Sequence, residues 1–392
     1  MMRGIRVRAG LPTLCLSLML GAAHAAAPAT GPLPPNYKPA LDTSEGGLWR
    51  SFDEFEKEVR ISPLLVKDEV LNAYVRKVAC DLAGPHCLSL RVYVVNDATS
   101  NALCAPNGMI LVWTGLLLRA QNEAELAFVL GHEISHYIKR HSLLNFERTR
   151  RSVGFLTVLN VATAGLASIG ALIAVGNLAS YSRDQEREAD ADGFELAVAR
   201  GYDPRQGALF WENVSQEESA NPNRAKPSPY MASHPATKER LDTLNKRAAE
   251  IESQTHANIA GTDSHRAAIR TYRSTWMDAE LNRGEYDESI VMIGQLLKAE
   301  AGSGELNYFL GEAYRRRNDD GDLAKATASY QAAVGAGDAP VAAYRGLGLV
   351  ALKSGQKDVA RDAFENYLSR APEANDRAMI QFYLAGVGKA QP

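Results

Sequence analysis

The chain has 392 residues, enough for two domains, because a single hydrophobic core usually stops growing near ~250–300 residues. Its composition, 46% hydrophobic, 23% charged and 7% aromatic, is that of a globular protein and excludes disordered, collagen-like and disulfide-dense classes. A formal net charge of -3 supplies no concentrated basic surface, which excludes nucleic acid as a partner.

In chain order, residues 1–25 read as a secretory signal peptide. Arg3, Arg6 and Arg8 form a positive n-region, Leu11 to Ala23 a short apolar h-region, and Ala23-His24-Ala25 a small-residue cleavage site. The apolar run is short for spanning a bilayer. Residues 26–60 are expected to form a Pro-rich leader. Export permits disulfides, and Cys80 and Cys87, flanking Gly84-Pro85, are expected to pair. A helical period covers Asp53 to Ala83. Arg91 to Val95 and Met109 to Trp113 read as strands, the second preceded by the turn Pro106-Asn107-Gly108.

A helix rich in Leu, Ala and Glu is expected over Glu123 to His141. Residues 152–182 carry no charged side chain. Their length could span a bilayer, yet four glycines and two asparagines interrupt them, and a hairpin is expected that covers the cleft or touches a membrane surface peripherally. Helix returns from Arg183 to Arg200 and stops at Gly201. Residues 253–265, small and polar, read as a linker. Beyond them Leu310-Gly311-x-x-Tyr314 recurs as Leu347-Gly348, and each is followed by a second helix. A two-helix unit of about 34 residues with these signatures reads as a tetratricopeptide repeat over 266–390, with Asp376 to Leu384 as its capping helix.

The motif that carries chemistry is His132-Glu133-Ile134-Ser135-His136. Residues four apart share one face of a helix, so both imidazoles can hold one zinc ion, and Glu133 lies within reach of the water that such an ion acidifies. A catalytic zinc needs a third protein ligand. The metzincin continuation is absent, since Lys139 and Ser142 stand at its glycine and histidine positions. The acidic run Asp184 to Asp190 is the source that remains. Glu186 and Asp190 share a face, which assigns Glu186 as ligand and Asp190 as the group orienting His132 or His136; Glu188 is the rival ligand. His234 either donates to the oxyanion of the reaction or fills the fourth metal position and keeps the enzyme latent. Arg240 is expected to pair with Asp190 or with substrate. His141, five residues past His136, reads as structural.

Together these residues resemble the gluzincin metallopeptidase family of the CAAX prenyl endopeptidases, HtpX and the periplasmic β-barrel assembly-enhancing proteases. The resemblance rests on Ser100-Asn101-Ala102 with Pro106-x-Gly108, Gly131-His132-Glu133-x-x-His136, Glu186-x-Glu188-Ala189-Asp190-x-x-Gly193, and Ser233-His234-Pro235 with Arg240. It implies an α+β zincin-type domain, mainly helical with a small sheet, over residues 61–252, followed by the all-α repeat domain. It implies one zinc on His132, His136 and Glu186, with Glu133 activating water. Substrate is expected to add as a strand along the edge near Met109 to Trp113. The implied role is hydrolysis of misfolded or unassembled outer-membrane proteins in the periplasm, with the repeats contacting the β-barrel assembly machinery. The alternative is a chaperone or scaffold with a latent metal site. Cys104 departs from the family pattern, which has a small non-thiol residue there.

Overall fold

The computed structural model describes residues 31–149, 181–224, 226–252 and 256–387, which belong to one compact unit beginning at Gly31. The signal-peptide reading, and all but the last two residues of the uncharged stretch 152–182, lie outside the described residues. Among those described, no helix is long and apolar enough to cross a membrane.

The helical period expected from Asp53 to Ala83 is broken into two helices, α1 (Ser44–Ile61) and α2 (Glu69–Ala83). The break is chemical. Ser62 precedes Pro63 and is extended, a conformation that the proline ring enforces on its neighbour. Asp68 then caps α2, its Oδ1 accepting the Leu71 amide at 2.7 Å. A disulfide joins Cys80 to Cys87 across the end of α2.

Three strands follow: β1 (Arg91–Val95), β2 (Ala102–Cys104) and β3 (Met109–Trp113). Their order is β1-β3-β2, with β1 parallel and β2 antiparallel to β3. β3 is therefore the central strand. The free edge beside it is β2, and this corrects the expectation of an open edge at Met109 to Trp113. β2 is too short for its alternation to register in the sequence. Both faces of β3 are covered, which is why it reads as an unbroken apolar run. Ile110 and Val112 face a core shared with α2 and α4 (Glu123–Ile138). Met109, Leu111 and Trp113 face a second core built with Leu48, Phe52, Phe55 and Val59 of α1 and Leu143 and Phe146 of α5 (His141–Thr149). Residues 44–60, read as part of a leader, thus belong to the helix that forms one wall of the sheet's packing.

A short α3 (Thr114–Arg119) leads into α4. α6 (Arg183–Val198) lies against α4, and α7 (Leu209–Ser219), α8 (Pro229–Ser233) and α9 (Lys238–Glu252) complete this part. Residues read as a linker are tied down: Ile259 bonds Gly201 and Asp203, and the Ala124 amide donates to Ala260 O.

The C-terminal region is a stack of helices: α10 (Thr262–Leu281), α11 (Tyr286–Ala299), α12 (Gly304–Arg317), α13 (Asp322–Gly335), α14 (Ala342–Lys353), α15 (Lys357–Arg370) and α16 (Arg377–Val387). The recurring Leu-Gly pairs have a packing cause. A Cβ on Gly311 would meet the Tyr330 ring at 2.9 Å, and one on Gly348 would meet the Phe364 ring at 2.4 Å. Glycine lets an aromatic side chain of the following helix seat against the helix backbone. Two buried polar contacts join α10 to the sheet-bearing part. Arg119 lies 2.7 Å from Glu217 of α7 and 3.0 Å from Glu280 of α10. The His265 ring faces the Tyr74 hydroxyl at 3.1 Å and donates to Leu117 O at 2.9 Å.

Candidate metal centre

The Asn122 side chain caps α4 by accepting the Glu125 amide, and Ser182 with Gln185 forms a capping box on α6. The two helices cross glycine on glycine. A Cβ on Gly131 would fall 2.8 Å from Gly193 O, and one on Gly193 would fall 2.6 Å from the His132 amide nitrogen. This contact sets the acidic face of α6 against the histidine face of α4.

His132, His136, Glu186 and His234 each present one ligand atom within 4.8 Å of the others, and all four are buried. His132 Nε2 lies 3.0 Å from His136 Nε2, 3.0 Å from His234 Nδ1 and 3.5 Å from Glu186 Oε2. His234 Nδ1 is 3.0 Å from Glu186 Oε1. Asp190 Oδ1 lies 2.9 Å from His132 Nδ1, so this ring donates outward and turns the lone pair of Nε2 inward. Arg240 clamps Asp190 through Nε at 2.6 Å and a terminal nitrogen at 2.7 Å. Its guanidinium also stacks 3.7 Å over the Trp211 ring. Glu188 lies away from the cluster, half-exposed and paired with Lys139 and His141.

The electrostatics follow from burial and charge count. Burial pushes the Glu133 carboxyl up. Burial acts the same way on Glu186, but His234, His136 and His132 outweigh it and hold the carboxyl well below its usual range. His136 is pushed well down by burial. For His234, Glu133 and Glu186 overcome burial and raise the ring's proton affinity.

These residues fit a divalent cation. Two buried carboxylates, Glu133 and Glu186, and the partly exposed Asp190 have one buried guanidinium, Arg240, among them. Three ring nitrogens converge where a single proton can satisfy only one pair. Glu186 Oε2 and Glu133 Oε1 are buried and make no hydrogen bond, with Arg240 Nη1 at 3.3 Å from the first and His234 Nε2 at 3.5 Å from the second. Ligands around tetrahedral zinc at ~2.0–2.1 Å stand about 3.3 Å apart, and here His132 Nε2 stands 3.0 Å from His136 Nε2 and 3.5 Å from Glu186 Oε2, with His136 Nε2 3.4 Å from Glu186 Oε1.

Two features were not foreseen. The expected helix to His141 ends at Ile138, because Arg140 turns left-handed (φ 57°), so His141 opens α5 rather than pointing away. Its Nδ1 comes back to 2.8 Å from His136 Nδ1, while its Nε2 reaches Glu188 at 3.2 Å. Tyr181 stacks on the His136 ring at 3.7 Å between centroids and lines the cleft with Phe52, Cys104, Glu133 and His234. Nothing in the sequence pattern singles out either contact. Gly193, an isolated glycine inside a helical acidic pattern, was the available signal for the close crossing.

A helix presenting His132, Glu133 and His136, crossed by a second helix that brings a glutamate to both rings, is the framework of a metallopeptidase. Residues 66–248 match the model of peptidase family M48. It is 28% identical over 212 residues to the putative β-barrel assembly-enhancing protease of Vibrio cholerae, covering 50% of this chain and 43% of the relative. To the β-barrel assembly-enhancing protease of Yersinia pestis it is 28% identical over 265 residues, 62% of this chain and 54% of the relative. To the mitochondrial metalloendopeptidase OMA1 of Schizosaccharomyces pombe it is 30% identical over 173 residues, 44% and 50% respectively. The chain thus spans about half the length of these curated relatives.

Proposed function

We propose that this protein is a zinc endopeptidase that cuts extended segments of unfolded or unassembled envelope proteins. The observation that carries the reading is the convergence of His132, His136 and Glu186, with the buried Glu133 carboxylate one residue along the same helix and 3.5 Å from His234 Nε2. When bound there, zinc supplies Lewis acidity, polarising a peptide carbonyl and acidifying water. Glu133 accepts the proton of the attacking water and returns it to the departing amine. Asp190, itself held by Arg240, fixes the His132 ring.

Substrate binds as an extra strand on β2. The Ala105 amide donates to Met109 O and the Trp113 amide to Asn101 O. By alternation, the main-chain groups of Ala102 and Cys104 face away from β3, toward the cleft. In this state the cleft encloses only about 30 Å³, and His234 stands among the candidate ligands. His234 is therefore a resting-state latch in this reading, which favours latency over oxyanion binding. The same closure supports the second reading, a scaffold or chaperone with a silent site. The α10–α16 stack serves as tetratricopeptide repeats that recruit partners. The names of the β-barrel assembly-enhancing relatives and the signal-peptide reading point to periplasmic quality control of outer-membrane proteins, with the assembly machinery as partner.

The test compares the purified zinc-supplied chain with Glu133→Gln on a loosely folded protein. Wild type should cleave, and Glu133→Gln should lose at least about 100-fold. Equal cleavage, or none by either, sinks the enzyme reading. His234→Ala should cleave faster than wild type if the residue is a latch.

A further inference from the structure

His136 turns its Nε2 toward His132 and Glu186, which leaves Nδ1 on the far side of the ring, 2.8 Å from Nδ1 of His141. His141 is 1% exposed, and its other nitrogen, Nε2, lies 3.2 Å from Glu188 Oε2. Lys139 holds the second oxygen of that carboxylate, Oε1, at 2.8 Å and also reaches Asp192 at 2.7 Å. A continuous chain, His136–His141–Glu188–Lys139, thus runs from the metal centre to the surface, where Glu188 is half-exposed. Neither His141 nor Glu188 has a part in the chemistry described above.

Local structure holds the His141 ring where it is. Left-handed Arg140 turns the chain from α4 into α5, and its guanidinium is seated 4.5 Å from the centre of the Tyr37 ring and 3.6 Å from Glu45. Leu143 and Phe146, on the same helix as His141, are buried in the second core. The Gln185 side chain of α6 donates to His141 O at 3.4 Å. Between two ring nitrogens 2.8 Å apart there is room for one hydrogen, and ligation decides which ring carries it. A ligating Nε2 presents a lone pair, so the His136 proton sits on Nδ1 and is donated to His141 Nδ1. His141 then carries its own proton on Nε2, where Glu188 accepts it. With no acceptor at Glu188, the His141 tautomer protonated on Nδ1 competes, confronts His136, and turns the lone pair of His136 away from the ion.

We propose that His141 and Glu188 are positioning residues that set the tautomer and orientation of His136 as a metal ligand, Glu188 acting through the His141 ring. The proposal rests on the metal-centre reading for the ion, though its distances stand without it. The two ligand rings on α4 are then held differently. His132 donates directly to a carboxylate, Asp190, whereas His136 reaches its carboxylate through a second imidazole. Glu188, set aside as a ligand by its place on the helix, keeps a function one ring removed from the ion.

The test is zinc affinity of the full chain by chelator competition, with melting of the metal-free chain beside it. His141→Leu, which has no acceptor, should bind zinc about 10- to 100-fold more weakly than wild type. His141→Asn, whose amide oxygen can stand where Nδ1 stood, should recover most of that loss. Glu188→Ala should weaken zinc by about 3- to 10-fold, less because the carboxylate is half-exposed, and Glu188→Gln, which keeps an acceptor oxygen, should stay within about twofold. The Glu188 pair decides even if His141→Leu fails to fold. A mere structural brace would lower the metal-free Tm and leave zinc affinity unchanged, and that result overturns the proposal. So does equal loss in His141→Leu and His141→Asn, or a Glu188→Ala variant as empty as Glu186→Ala, which would make Glu188 a ligand. A chain that binds zinc with the expected dependences yet never cleaves defeats the peptidase reading and upholds this one; a wild type that holds no zinc overturns both.

Discussion

An alanine at position 193 would place its Cβ 2.6 Å from the His132 amide nitrogen, 2.7 Å from the Gly131 carbonyl carbon and 2.8 Å from the His132 Cα. All three are backbone atoms on a buried helix, so none can rotate aside. The shortfall from ordinary contact is about 0.8 Å, and α4 and α6 must part by roughly that much. Overpacking of this kind costs about 1–3 kcal/mol, or about 1–4 °C in Tm for a chain of this size. The larger effect is on the site. Glu186 and Asp190 ride on α6 within two turns of Gly193 and would move with it, away from the rings they face. A displacement of about 1 Å at a reacting centre can cost about 100-fold in rate. Chelator competition should show weaker zinc binding, and melting a lower Tm. Gly294→Ala in α11 is the control: nothing lies within 4 Å of its Cβ position, so it should gain up to about 1 kcal/mol. If Gly193→Ala binds zinc as tightly as wild type and melts with the control, the glycine crossing does not position the site.

Asp190→Asn keeps the side chain's size but removes the carboxylate that receives the His132 Nδ1 proton. Zinc affinity should fall about 10- to 100-fold by chelator competition, and an unchanged affinity would refute the orienting role. His265 gives a pH prediction away from the metal. Burial pushes its imidazole down to about 4, whereas an unfolded histidine titrates near ~6.5. As pH falls the unfolded chain takes up the proton first. The stabilising contribution is therefore full above about 6.5 and is lost toward 4, by at most about 3 kcal/mol. The Tm gap between wild type and the non-titrating His265→Gln should close as pH drops through this window; a constant gap would contradict the assignment.

Much of the site was legible because its signals are local. The spacing of His132 and His136 and the shared helical face of Glu186 and Asp190 need only the period of a helix, and that period separated Glu186 from Glu188. Contacts that depend on chain reversal were not legible. Arg140 adopts a left-handed conformation that its residue type does not advertise, so the turn returning His141 to His136 is invisible in the sequence. The sheet edge was misplaced because β1 and β3 pair in parallel across an intervening three-residue strand, and strand order is a tertiary property. The helix break at Ser62-Pro63 was readable from the proline alone.

The direct measurement of the central claim is the metal content of the purified chain, with and without Glu186→Ala. The account predicts about one zinc per wild-type chain and a variant that surrenders its metal to a weak chelator. Full zinc retention by Glu186→Ala, or a wild type that holds none when zinc is supplied, would contradict it.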